Sequence, residues 1–196
     1  MKRMKKMKRN SITFLLLPVM IVAMVGCGSP QQTALEEERA RIIELNSLLY
    51  DKEGNLPGHK VAQEAIEAFR AFGNNHPDDS MALPYHIKAG DLAFTLGQFR
   101  LSADIFSEVV SLYPSGEHSP YVFIRLGSVY NDRLQDTAAA RVYFTKVLDE
   151  FPSDPLAESA EFGIETLGMD EEEQFKVILK RSQMLADEPE MDDSEQ

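Results

Sequence analysis

One phrase recurs along this chain at a spacing that dictates a stacked architecture. Pro77, Pro114 and Pro152 lie 37 and 38 residues apart. Counting back from each, the same residue types return. Ala65, Phe69 and Phe72 precede the first; Ser102, Phe106 and Val109 the second; Ala140, Phe144 and Val147 the third. A small residue, a Phe and an apolar residue at i, i+4 and i+7 share one helix face. The small residue admits a close neighbour, the Phe fills the space between helices, and the Pro ends the helix. A period of this length holds two helices and their turns. A single such pair cannot bury its apolar face, so the pairs must stack on one another.

The joints between units also follow the helical rules. Ser119-Pro120 and Asp154-Pro155 read as a capping side chain followed by Pro at the first helical position. Gly90 and Gly127, in Lys88–Gly90 and Arg125–Gly127, stand where two helices would cross tightly, and Gly97-Gln98-Phe99 closes the next turn. Upstream, Thr33 and Glu36 have the spacing of a capping box. Leu35, Ile42, Ile43, Leu45, Leu48 and Leu49 form an apolar stripe that Gly54, Pro57 and Gly58 interrupt. Downstream, a helix from Pro155 to about Leu167 carries Gly163 at its crossing, and Gly168 ends it. Asp170 and Glu173 form a second capping box. The helix that follows is expected to cap the stack through Phe175, Ile178, Leu179 and Leu185. The closing DEPEMDDSEQ is acidic and aperiodic, so residues 187–196 read as a disordered tail.

These positions resemble the tetratricopeptide repeat over residues 35–167. In one unit they are Ala89-Gly90, Ala93, Gly97, Phe99, Ser102, Phe106, Val109 and Pro114. In the next they are Leu126-Gly127, Tyr130, Ala140, Phe144, Val147 and Pro152, with one extra residue in the turn from Asn131 to Thr137. The resemblance implies an all-α, right-handed array of antiparallel helix pairs. It would contain about three repeats plus a C-terminal capping helix, over residues 34–186. His86 departs from the bulky aromatic residue usual at the start of a first helix.

The N-terminus reads as an address and an anchor. MKRMKKMKRN is a basic run, followed by an apolar segment from Ile12 to Val25 that is too short for the roughly 20 residues of a transmembrane helix. Met24-Val25-Gly26-Cys27 resembles a bacterial lipobox, with Met24 in place of the usual Leu. The resemblance implies a signal peptide over residues 1–26, acylation of Cys27, and a tether over residues 27–33. Acyl chains hold a protein at a membrane because each buried CH₂ contributes about 0.8 kcal/mol. Gly28, where enteric-type sorting would need Asp for inner-membrane retention, implies the outer membrane facing the periplasm. In a single-membrane bacterium the same anchor implies the outer leaflet of the plasma membrane.

Charge narrows the partners. The first 26 residues carry six basic side chains and no acid, so the rest sets 14 basic against 32 acidic residues, a net charge of −18. So acidic a surface repels phosphate backbones and argues against nucleic acid. His59, His76, His86 and His118 form no ligand pair at i, i+4, and no nucleotide-loop or nucleophile-elbow motif occurs. No catalytic residue, metal site or cofactor is expected. In tetratricopeptide arrays the groove is lined by exposed positions of the first helices. These map to Ile87, Asp91 and Phe94 in one unit, and to Tyr121, Ile124, Ser128 and Asn131 in the next. Ile87, Phe94, Tyr121 and Ile124 would make an apolar strip, either open to a partner or filled by a terminal helix of the chain itself. The expected function is a lipid-anchored envelope scaffold that binds a partner protein or peptide. Its repeats resemble two families, the Tol-Pal-associated cell-division coordinator and the BamD-type outer-membrane assembly lipoproteins. A small envelope hydrolase on a helical scaffold and a self-associating structural module are the alternatives.

Overall fold

The computed structural model describes residues 30–49 and 58–187. The expected signal segment, Cys27 and the start of the expected tether, residues 50–57 and the acidic tail from residue 188 lie outside the described residues. Among the described residues the chain is helical without strands. Helices α1 (Pro30–Leu48), α2 (His59–Asn75), α3 (Ala82–Thr95) and α4 (Phe99–Leu112) come first. They are followed by α5 (Ser119–Ser128), α6 (Thr137–Glu150), α7 (Ala157–Glu165) and α8 (Glu171–Asp187). From α1 to α7 each helix packs on the next, while α2 also touches α4 and α5 touches α7. Alternate helices are therefore neighbours. This is the all-α array of tetratricopeptide-like helix pairs, with first helices in one layer and second helices in the other.

The repeated phrase is the repeated joint. Its three small-Phe-apolar sets on α2, α4 and α6 are all buried. Each of those helices ends on a residue of nearly the same backbone shape: His76 (φ −130°, ψ 54°), Tyr113 (−128°, 69°) and Phe151 (−135°, 50°). The following Pro excludes the helical region for the residue before it, which produces this common geometry. The amides of the three residues still donate to the carbonyls of Phe72, Val109 and Val147, four residues back, so the last turn stays closed.

Gly and Phe meet as the spacing requires. A Cβ on Gly90 would fall 2.8 Å from the Phe106 ring, and one on Gly163 would fall 2.6 Å from the Phe144 ring. Gly127 presses on the same Phe144 ring from α5. Phe144 is thus a wedge between two successive first helices. The extra residue of the third unit is absorbed in a π-helical turn over Val129–Arg133. There the Leu134 amide reaches back to the Val129 carbonyl at 3.0 Å, and Gln135 takes φ 54° to rejoin the path.

Three local expectations are corrected. Helix α1 spans Pro30–Leu48, so Thr33 lies within it and not at the expected helix start. Residues 30–33 are therefore helix and not tether. Ser119 makes no capping bond because it is itself in α5 and buried, although Pro120 does sit at the helix start. At the equivalent joints Asp79 and Asp154 accept from the amides of Met81 (2.9 Å) and Leu156 (2.8 Å), turning the chain before the helix begins. Third, α8 does not bury its apolar face: Phe175 is 57% and Ile178 48% exposed. Glu171, Phe175 and Ile178 repeat the i, i+4, i+7 pattern, but a long carboxylate stands where the small residue belongs. The start of α8 is nonetheless well formed. Asp170 accepts from the Glu173 amide at 2.9 Å, and Glu173 from the Asp170 amide at 3.1 Å, a complete capping box.

Candidate functional site

The seven groove positions divide into two groups on the first-helix face. Ile87, Asp91, Phe94 and Tyr121 join α3 to α5. The Tyr121 hydroxyl donates to Asp91 Oδ2 at 2.8 Å, and its pKa is pushed up to about 12 by burial and by the Asp91 charge, so it remains a donor. Arg125 Nε lies 2.8 Å from Asp91 Oδ1, a charge contact and not an aligned hydrogen bond. Its guanidinium stands 4.5 Å over the Phe94 ring, and that of Arg133 lies 5.7 Å from the same ring. Ile87 and Phe94 are half-buried against the central core. The expected open apolar strip is therefore broken here, covered by cations of the chain itself.

The second group faces open space. Ile124 and Ser128 on α5, Phe162 on α7 and Ile178 on α8 line a cavity of about 510 Å³. Ligand pockets commonly occupy roughly 300–1,000 Å³. Asp132 and Glu158 add carboxylates to its wall. Arg181 spans from α8 to α7, donating from Nε to Glu165 Oε2 at 2.9 Å with its guanidinium 5.4 Å from the Phe162 ring. Asn131 also borders the cavity but serves as a tie. Its Oδ1 accepts from the Gly168 amide at 2.9 Å and its Nδ2 donates to Asp132 at 2.8 Å. It is 9% exposed, which corrects its assignment as an exposed groove residue.

Sequence reasoning missed the α7 and α8 side of this cavity, Glu158, Phe162 and Arg181, because it ended the groove at the last full repeat. It also missed Arg125, since an Arg on a first helix signals nothing until Asp91 and Phe94 are seen one repeat earlier. Of the histidines, only His86 is fully buried, with Nε2 3.3 Å from Glu108 Oε2 and its ring against Gly73. Burial pushes its pKa down despite the Glu108 carboxylate, so the ring is neutral. Among the described residues no group of three His, Cys, Asp or Glu side chains is placed to hold a metal ion.

An array of stacked helix pairs with its cavity on the first-helix layer defines the architecture of a helical-repeat protein. The tetratricopeptide repeat family model matches residues 121–154, which span α5, the π turn and α6. The chain thus carries a tetratricopeptide repeat, and the preceding pair α3–α4 reproduces its Gly–Phe wedge with Gly90 and Phe106. No curated protein and no solved structure matches it.

Proposed function

We propose that this chain is a lipid-anchored interaction scaffold of the bacterial cell envelope, holding a segment of a partner protein on its first-helix face. The observation that carries this reading is the cavity between α5, α7 and α8, which remains open because α8 does not pack down. We read the role as binding rather than catalysis: Asp91, Tyr121 and Asn131 of this face are engaged in ties within the fold. The anchor and the envelope address rest on the basic run, the short apolar segment and Cys27. An anchored scaffold acts on partners within reach of the membrane, which fits assembly or division factors of the outer membrane.

Photo-crosslinking from the full chain in bacterial membranes tests this. A photoreactive residue at Ile124 should give a discrete protein adduct, and one at Val142, exposed on α6, should not. Adducts of equal yield from both positions, or none from Ile124, would contradict the reading. In the same cells Cys27→Ser should abolish palmitate labelling and membrane retention; unchanged labelling would remove the anchor.

A further inference from the structure

We infer that the α5–α7–α8 cavity takes a peptide segment that is basic as well as apolar, with large apolar side chains inserted and Lys or Arg at its flanks. This rests on the first-helix face being the binding face. The cavity wall is apolar at Ile124, Phe162 and Ile178. Its charged lining is Asp132, Glu158 and Arg181. Arg181 is already matched by Glu165. Among the described residues neither Asp132 nor Glu158 is in an ion pair. Asp132 also borders a neighbouring hollow of about 610 Å³ that sets Asp170 and Glu171, with Asp132 itself, against a single cation, Arg133. The uncompensated charge around the opening is therefore negative, and desolvating an apolar anchor there is favoured when cations accompany it.

Charge also sorts the rival occupants. Residues 188–196 follow α8 in sequence, but they contain Glu188, Glu190, Asp192, Asp193 and Glu195 without a basic residue. Like charge disfavours that tail in this opening. A second copy of the chain brings the same excess of acid. A cationic segment meets no such opposition. The cavity volume accommodates more than one large side chain, so two anchors about one helical turn apart would fit it better than one.

The test uses the full chain and fluorescence anisotropy with three labelled peptides. They share Leu and Phe positions and carry Lys, Glu or Gln at the remaining sites. The Lys peptide should bind, at least tenfold more tightly than the other two, and should weaken several-fold between about 0.05 and 0.3 M salt as screening sets in. Glu158→Lys and, separately, Ile178→Asp should each weaken it about tenfold, while Glu67→Lys, a reversal on exposed α2, should leave it unchanged. Ile178 is half-exposed, so its substitution does not threaten the fold. Tight binding of the Glu or Gln peptide would overturn the charge selection. So would Lys-peptide binding that falls as much with Glu67→Lys as with Glu158→Lys. Deleting residues 188–196 and gaining affinity tenfold or more would assign the cavity to the tail. A dimer in light scattering that Ile178→Asp dissolves would assign it to a second copy. Failure of the charge selection leaves the Ile124 partner adduct unaffected, whereas assignment to the tail or to a second copy removes it; loss of that adduct without either assignment marks failure of the binding face.

Discussion

Glu108 shows what a single residue does in a stacked array. Its carboxylate accepts from Arg70 Nε at 2.9 Å, Asn74 Nδ2 at 3.1 Å and His86 Nε2 at 3.3 Å. The Arg70 hydrogen bonds lead in holding its pKa down to about 2, against the opposing effect of burial. A carboxylate with a depressed folded-state pKa contributes stability that is complete above its unfolded value and lost as pH falls through the folded one. Here that window runs from about 4.5 down to about 2. His86 adds to it: neutral and buried in the fold, it binds a proton more readily when unfolded, so stability also declines as pH drops below about 6.5. Glu108→Gln should cost about 1–2 kcal/mol at pH 7, allowing for the partial exposure of the pair, and should flatten the pH dependence below 5. Urea midpoints across pH 2–7 check this; parallel curves for the two proteins would refute the assignment. This cluster was not legible beforehand. Arg70 and Glu108 are 38 residues apart, and only the stacking of α2 on α4 brings them together. In retrospect the separation is one repeat period, as it is for Asn131 and Gly168 at 37.

At the scale of the element, the legible helices were those whose pattern is completed by a neighbour. The Phe and small residues of α4 and α6 predicted their buried faces because each face meets a Gly-bearing first helix. The same periodicity in α8 was misleading. Phe175, Ile178 and Leu179 form a stripe, yet among the described residues this face stays exposed. The pattern reports which face is apolar and not whether that face is covered. Helix α8 is instead secured at its start by the Asp170–Glu173 capping box and along its length by Arg181 on Glu165 and Phe162. Amide hydrogen exchange should therefore be faster in α8 than in α6. Asp170→Ala should accelerate it about fivefold more, matching the loss of about 1 kcal/mol for an N-cap, without shifting the global unfolding midpoint. Protection in α8 equal to that of α6 would mean that it packs as a true cap.

Across the whole molecule, three hydrophobic cores succeed one another among the described residues, and Val110, Tyr130 and Tyr143 pack against two of them at once. Stability is therefore shared between neighbours, and the ends are the natural places for a binding surface that need not disturb the stack. The groove was legible in part. Ile124 and Ser128 do line the cavity, whereas the α3–α5 half is closed by Arg125 and Arg133, cations whose cover depends on contacts a repeat apart. An anchored chain of net charge −18 beyond residue 26 would present this surface to cationic partners close to a membrane. On the proposed reading a partner occupies the first-helix layer. Hydrogen exchange of the chain purified with its captured partner, compared with the chain alone, tests it most directly. Added protection should fall on α5, α7 and the facing side of α8, with α2, α4 and α6 unchanged; protection centred on α2, α4 or α6 would contradict it.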